Sequence, residues 1–182
     1  MNKNETRFFV LTGGPGSGKS AVIEALHGAG YARAVEAGRS IIQDQLAIGG
    51  NGLPWKDPIH FAELMLSWDI RSYHIAEQSI GTVFFDRGVV DVIGYLRLLG
   101  LPVPKHMEDA ATRFRYNRRV FIASPWEEIY QQDRERTQDF VEAVRTYEAM
   151  IAAYSEYGYE LVKLPKITVE ERMHFILQRV SS

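Results

Sequence analysis

The sequence predicts an α/β fold in three layers: a five-stranded, mainly parallel sheet covered by helices on both faces. Three observations predict it. Short apolar runs alternate with helix-patterned segments along the whole chain, which implies right-handed crossovers and a parallel sheet. Val83-Phe84-Phe85 has no polar position, as expected of a strand covered on both sides. A glycine-rich run, Gly13 to Ser20, stands between the first strand-like run and the first helical one.

The elements follow in order. Phe8-Phe9-Val10-Leu11 is rich in strand formers. Beyond the glycines, Val22, Ile23 and Leu26 share one helical face, and Gly28 and Gly30 end that helix. Tyr31 to Val35 reads as a second strand with Glu36 at its C-terminal end. Ala37 to Ile48 is helical, with Ile42 and Leu46 four apart. Gly49-Gly50-Asn51-Gly52 and Pro54 stop it, and this connector is expected to be the most mobile stretch. Asp57-Pro58 starts a helix carrying Phe61, Leu64, Met65, Trp68 and Ile75 towards Ser79; Gly81 ends it. The third strand, Thr82 to Phe85, closes with Asp86-Arg87-Gly88.

Val89 to Leu99 is helical, with Val92, Ile93 and Leu96 inward, and Gly100 and Pro102 follow. Lys105 to Tyr116 reads as helix and Arg119 to Ala123 as the fourth strand. Ser124-Pro125-Trp126-Glu127 has the pattern of a capping box before a short helix. A long helix runs from about Gln138 to Tyr157 with Phe140, Val144, Tyr147, Ile151 and Tyr154 on one face. Tyr159 to Leu164 is the fifth strand, and Thr168-x-x-Glu171 caps a last helix carrying Met173, Ile176, Leu177 and Val180.

Gly13-Gly14-Pro15-Gly16-Ser17-Gly18-Lys19-Ser20 fits G-x-x-x-x-G-K-[ST] without a mismatch, in the strand–loop–helix context that the motif needs. The glycines allow a tight loop whose N–H groups converge, and the helix behind adds its positive end. Such a loop cradles a polyphosphate. Lys19 neutralises the β- and γ-phosphates, and the Ser20 hydroxyl is a Mg²⁺ ligand. ATP and Mg²⁺ are therefore the expected cofactors, and residues 1–182 read as a single P-loop NTPase domain. In open parallel sheets ligands sit at the C-terminal strand edges. That rule selects the loop after strand one, Glu36 after strand two, and Asp86-Arg87 after strand three.

Val83-Phe84-Phe85-Asp86 is a Walker B pattern, an apolar strand and then a carboxylate able to hold Mg²⁺ directly or through water. Mechanical ATPases commonly place Glu next to activate water; here Arg87 follows, which suits an anionic substrate or a transferring phosphoryl group better. An Asn-Lys-x-Asp run, which would read guanine, is absent.

Asp86-Arg87-Gly88 resembles the Asp-Arg-Tyr of thymidylate kinases and the Glu-Arg-Ser of deoxynucleoside kinases. Nearly the whole chain, through LTGGPGSGKS, EAGRSII, FFDRGVVDVIGYLRLLGLPVP, RRVFIASPWEEIYQQDRERTQDF and TYEAMIAAYSEYGYELVKLP, is similar to a family of bacterial AAA-type ATPases within the P-loop kinase-like group, related to the ribosylnicotinamide kinase domain. The resemblance implies no assigned substrate and no ring-forming motor. In deoxynucleoside kinases a Glu in the place of Glu36 acts as base towards the acceptor hydroxyl. Glu36 is thus a base if a hydroxyl is phosphorylated, a positioning group if a phosphate is, or a helix N-terminal carboxylate with Arg39 as the partner that helical spacing offers. Arg134 and Arg136 fall where P-loop kinases carry a lid whose arginines stabilise transition-state charge, although Asp133 and Glu135 interleave with them as in a solvated turn.

Three functional readings result. The first is a kinase passing the γ-phosphoryl group of Mg-ATP to a small nucleoside- or nucleotide-like acceptor, with Lys19, Glu36, Asp86, Arg87, Arg134 and Arg136 as its catalytic set. The second is a slow regulatory ATPase without a dedicated acceptor. The third, a nucleic-acid end kinase, uses Arg113, Arg115, Arg118 and Arg119; a helix end and a strand start explain those arginines better. With 21 basic and 23 acidic residues among 182, nothing global points to nucleic acid or a membrane surface. There is no cysteine, which excludes disulfides, thiolate zinc sites and a Cys nucleophile. The polar start, Met1 to Thr6, lacks the apolar core of a signal peptide, and a cytoplasmic location is the expectation. Trp55, in the glycine-rich connector, is the tryptophan best placed to meet a ligand.

Overall fold

The computed structural model of the chain describes residues 6–130 and 139–180. Its strands are β1 (Phe8–Gly13), β2 (Ala32–Ala34), β3 (Val83–Asp86), β4 (Arg119–Ala123) and β5 (Glu160–Leu164). They form one sheet in the order β2-β3-β1-β4-β5, and every neighbouring pair is parallel. The helices are α1 (Lys19–Gly28), α2 (Ala37–Ile48), α3 (Pro58–Glu77), α4 (Val89–Leu98), α5 (Lys105–Arg113), α6 (Phe140–Glu156) and α7 (Val169–Val180).

The side-chain alternation of β1 splits the core in two. Phe8 and Val10 enter one cluster with Tyr73 of α3, Ile93 of α4, Met107 of α5 and Tyr154 of α6. Phe9 and Leu11 enter the other with Val22, Ile23 and Leu26 of α1 and Ile176 of α7. All six residues of β1 are buried, as a central strand with helices on both faces requires. A third cluster joins Ile41 and Ile42 of α2 to Phe61 of α3 through Leu53.

Register brings the loops to one edge. Leu11 lies opposite Asp86 on one side and Phe121 on the other, and Gly13 opposite Ala123. Ala34 pairs with Phe85, so Glu36 stands just beyond the same edge. Side chains cap three helices, two of them as the sequence predicts and the third, at Asp139, unforeseen. The Asp57 side chain accepts from His60 N at 2.9 Å and that of Asp139 from Glu142 N at 2.8 Å. Thr168 and Glu171 cap each other, the backbone N–H of each donating to the other's side chain.

Three local expectations are corrected. The Ser124–Glu127 capping box does not form: Glu127–Ile129 is one 3₁₀ turn behind Trp126, with no side-chain cap. The helix expected to reach Tyr116 stops at Arg113, because Tyr116 turns into the core, where it is 1% exposed. The glycine-rich connector is pinned rather than loose. Gln45 Oε1 accepts from Gly52 N at 2.9 Å, and Leu53, 1% exposed, accepts from Lys56 N and Asp57 N with its carbonyl. A Cβ on Gly50 would lie 2.2 Å from Gln45 Oε1, so a side chain there would push that amide off Gly52 N.

Candidate active site

The phosphate loop is shaped by what a side chain would hit. Gly13 has φ +128°, and a Cβ there would sit 2.2 Å from the Ala123 carbonyl oxygen on β4. Gly18, the N-cap of α1, takes the left-handed conformation at φ 79°. Ser17 Oγ donates to Gly14 O at 2.8 Å, closing the loop. Lys19, 6% exposed, donates from Nζ to Gly14 O at 2.7 Å and to Ser17 Oγ at 3.2 Å. Both acceptors are neutral, so a phosphate oxygen outcompetes them for the ammonium.

Ser20 Oγ donates to Asp86 Oδ2 at 3.0 Å, joining the loop to the end of β3. Asp86 is buried, and its Oδ1 has no hydrogen-bond partner among the described residues. Burial first, then the nearby Glu36, raises the Asp86 carboxyl above the ordinary aspartate range; Lys19, Arg87 and the Ser20 hydroxyl oppose that rise. An orphaned carboxylate oxygen beside a hydroxyl is a hard-oxygen donor set, which fits Mg²⁺.

Arg87 has a left-handed backbone, φ 73°, alone among the described non-glycine residues. Its N–H donates to Leu11 O at 3.0 Å, its Nε to Glu36 Oε1 at 3.1 Å and its Nη1 to Asp91 Oδ1 at 3.0 Å. Burial opposes the Arg87 charge, but Glu36, Asp91 and Asp86 more than offset it and hold the guanidinium protonated. The structure brings Arg87 to Glu36, a pairing that helical spacing did not offer. Arg87 is thus shared between two carboxylates.

Asp91 was not singled out in the sequence, though it follows Arg87 by four residues, the spacing of a helical ion pair. Besides Arg87 it accepts from Thr12 Oγ1 at 2.5 Å, Gly88 N at 3.0 Å and Tyr154 Oη at 2.6 Å. One carboxylate therefore ties β1, α4 and α6 together beneath the site.

A cavity of about 310 Å³ opens beside the loop, bounded by Pro15, Glu36 and Arg87 at the phosphate end and by Trp55, Phe61 and Tyr95 farther out. Phe61 and Tyr95 meet edge to face at 5.6 Å. Asp69 of α3 lines the cavity, is 7% exposed, and accepts no hydrogen bond among the described residues. Burial, with Asp91 adding to it, raises its carboxyl well above the ordinary range. The Tyr95 hydroxyl is buried without a partner, and burial pushes its pKa up to about 12.

Arg172 of α7 lies behind the loop, 1% exposed, and carried no signal in the sequence. Its Nη1 donates to Ser17 O at 2.9 Å and its Nε to Pro165 O at 2.8 Å, with its guanidinium 4.8 Å over the Trp126 ring. Arg172→Ala strips the buried Ser17 carbonyl and the part-buried Pro165 carbonyl of their donor, at about 1–3 kcal/mol for the buried one. We expect a lower urea midpoint together with weaker ATP binding by calorimetry. Undiminished binding would mean that α7 does not shape the loop.

Arg134 and Arg136 lie outside the described residues. Of the four clustered arginines, Arg115 donates to Tyr157 O at 2.9 Å and stacks 4.0 Å over the Tyr159 ring, and Arg119 reaches the Arg179 carbonyl. These two serve the protein's own backbone. Among the described residues no helix is long and apolar enough to cross a membrane.

Comparison with known proteins agrees with this geometry. The deoxyadenosine kinase of M. mycoides, solved with bound dATP, superposes with a TM-score of 0.61 at 14% identity, covering 97% of this chain and 100% of that one. The thymidylate kinase of Ehrlichia chaffeensis gives 0.58 at 15% identity, covering 97% and 99%. At such identities the likeness is one of fold. No curated protein matches the sequence. A family model described as an AAA domain matches residues 8–172, nearly the whole of the chain. With its phosphate loop on a parallel five-stranded sheet, the chain belongs to that AAA-domain family.

Proposed function

We propose that the protein is a kinase that transfers the γ-phosphoryl group of ATP to a small nucleoside- or nucleotide-like acceptor. The observation that carries this reading is that the phosphate loop and the aromatic-walled cavity share a wall: Pro15 of the loop lines the cavity with Glu36 and Arg87. A protein that only hydrolysed ATP would need no such chamber beside its phosphates. The nucleoside and nucleotide kinases that share the fold support the same reading.

In this mechanism the loop amides and Lys19 hold the β- and γ-phosphates. Ser20 and Asp86 would hold Mg²⁺, which neutralises charge on the phosphate oxygens when bound. The acceptor hydroxyl oxygen forms a bond to the γ-phosphorus, the bond from phosphorus to the β–γ bridging oxygen breaks, and ADP departs with that electron pair. Glu36 takes the hydroxyl proton. Arg87 fixes Glu36 through its Nε and so orients the base. Arg134 and Arg136 are assigned to the charge on the transferring group.

ADP release with and without nucleosides, nucleotides and sugars tests this reading. Strong stimulation by one acceptor is expected. Turnover unchanged across the panel would make the protein a slow ATPase instead. Glu36→Gln should lower acceptor phosphorylation about 10²–10⁴-fold, the usual contribution of a general base, while ATP affinity survives. Equal loss of both would make Glu36 structural.

A further inference from the structure

A second cavity, of about 520 Å³, runs along the edge of the sheet between β2 and the C-terminal half of α3. β2 is a terminal strand, with β3 as its one neighbour among the described residues. Its outer edge therefore presents backbone N–H and C=O groups that no described strand meets, a template for one more strand. The alternation of β2 sets what each face of such a strand would touch. Ala32 and Ala34 pack towards α3, and their small side chains leave a trough walled by Trp68, Ile75 and Ala76. Val35 and Ile75 stay 45% and 56% exposed there. Arg33 turns the other way, to α1, where its partner Glu24 is itself exposed. Such a surface pair is worth little and is readily shared with a second carboxylate.

Charge selects the occupant. His27, Arg33 and Arg71 line the cavity, and among the described residues no aspartate or glutamate does. Arg71 is exposed and has no hydrogen-bond or ion-pair partner among the described residues, so it holds its charge at the mouth of the trough. A second copy of the chain laid edge to edge would set this cationic trough against its twin, which like charge opposes. A strand bearing carboxylates complements it instead.

We propose that the β2 edge docks an extended segment of another protein in which apolar residues alternate with acidic ones. The segment pairs with β2 as a sixth strand. Its apolar side chains fill the trough over Ala32 and Ala34, its carboxylates face Arg33 and His27, and Arg71 draws the acidic chain in. This surface lies outside the phosphate loop and the chamber beside it, and its assignment does not depend on the kinase reading.

The probe is a fluorescently labelled octapeptide of alternating valine and glutamate, titrated with the full chain. Anisotropy reads affinity, and amide shifts in ¹⁵N-labelled protein read place. Shifts centred on Ala32 to Val35 and Trp68 are expected, with a valine–lysine octapeptide at least about tenfold weaker. Arg71→Glu and Ile75→Asp, both at exposed positions, should each weaken binding at least about fivefold while the urea midpoint stays near the parent's. Arg118→Glu, beside β4 and three strands away, should leave binding as it is. N-methylating all the valines, or all the glutamates, blocks one edge of the peptide or the other, so one of the two peptides should bind and the other should not. Shifts elsewhere or none, equal binding of the lysine peptide, equal weakening by Arg118→Glu, or two methylated peptides that behave alike would overturn the proposal. A dimer that Ile75→Asp dissociates would give the edge to a second copy and overturn it too.

Discussion

Lys19→Ala should lower acceptor phosphorylation by about 10²–10³-fold, close to what loss of one well-placed transition-state donor costs. In free energy this is about 2.7–4 kcal/mol. The fold should barely notice. Lys19 Nζ donates to Gly14 O and Ser17 Oγ of its own loop, and Gly14 O keeps the bond from Ser17. The stability change in urea should therefore stay within about 1 kcal/mol. This split between activity and stability is the signature to look for. Steady-state ADP release and a urea curve on the same preparation measure both. Turnover within fivefold of the parent would refute a role for the ammonium in charge stabilisation.

Asp91→Ala should do the opposite and strike the fold first. The carboxylate is buried and accepts from Thr12, Arg87, Gly88 and Tyr154. Its removal leaves a buried guanidinium short of one counter-charge and two buried hydroxyls short of their acceptor. Breaking a buried ion pair from one side costs about 3–5 kcal/mol. We expect an unfolding free energy lower by that amount, read as a lower urea midpoint at unchanged slope. Asp91→Asn retains an oxygen for Thr12 or Tyr154 but not the charge for Arg87, and should fall between. A loss below about 1 kcal/mol in Asp91→Ala would show that Arg87 and Glu36 suffice by themselves.

These two residues mark how far the sequence could be read. Lys19 was legible because its chemistry is local: strand, glycines, lysine, hydroxyl and helix lie within one short run. The three-layer parallel sheet was legible for a similar reason, since the period of apolar residues reports burial element by element. Helix ends written in local side chains, such as Asp57 and Thr168-x-x-Glu171, were legible too. The strand order was not, because an apolar run does not say which neighbour it pairs with. Ser124–Glu127 misled, for the capping pattern formed only a 3₁₀ turn. The site residues that went unseen act across the chain. Arg172 meets Ser17 from 155 positions away, and Asp91 meets Tyr154 from 63. Asp69 reads in sequence as one of three acids on its helix; only packing shows that it lines a cavity. Burial has a period, whereas partnership between distant side chains has none.

The place of β1 in the middle of the sheet carries a consequence for how the molecule is made. During synthesis it leaves the ribosome before both of its neighbours, which begin only at Val83 and Arg119. Until both have emerged, Phe8 to Leu11 has no ladder to join, and the glycine loop behind it has no β4 carbonyl to lie against. Nascent chains halted short of β4 should therefore fail to retain nucleotide, and a chaperone that shields apolar runs would find its binding segment in β1.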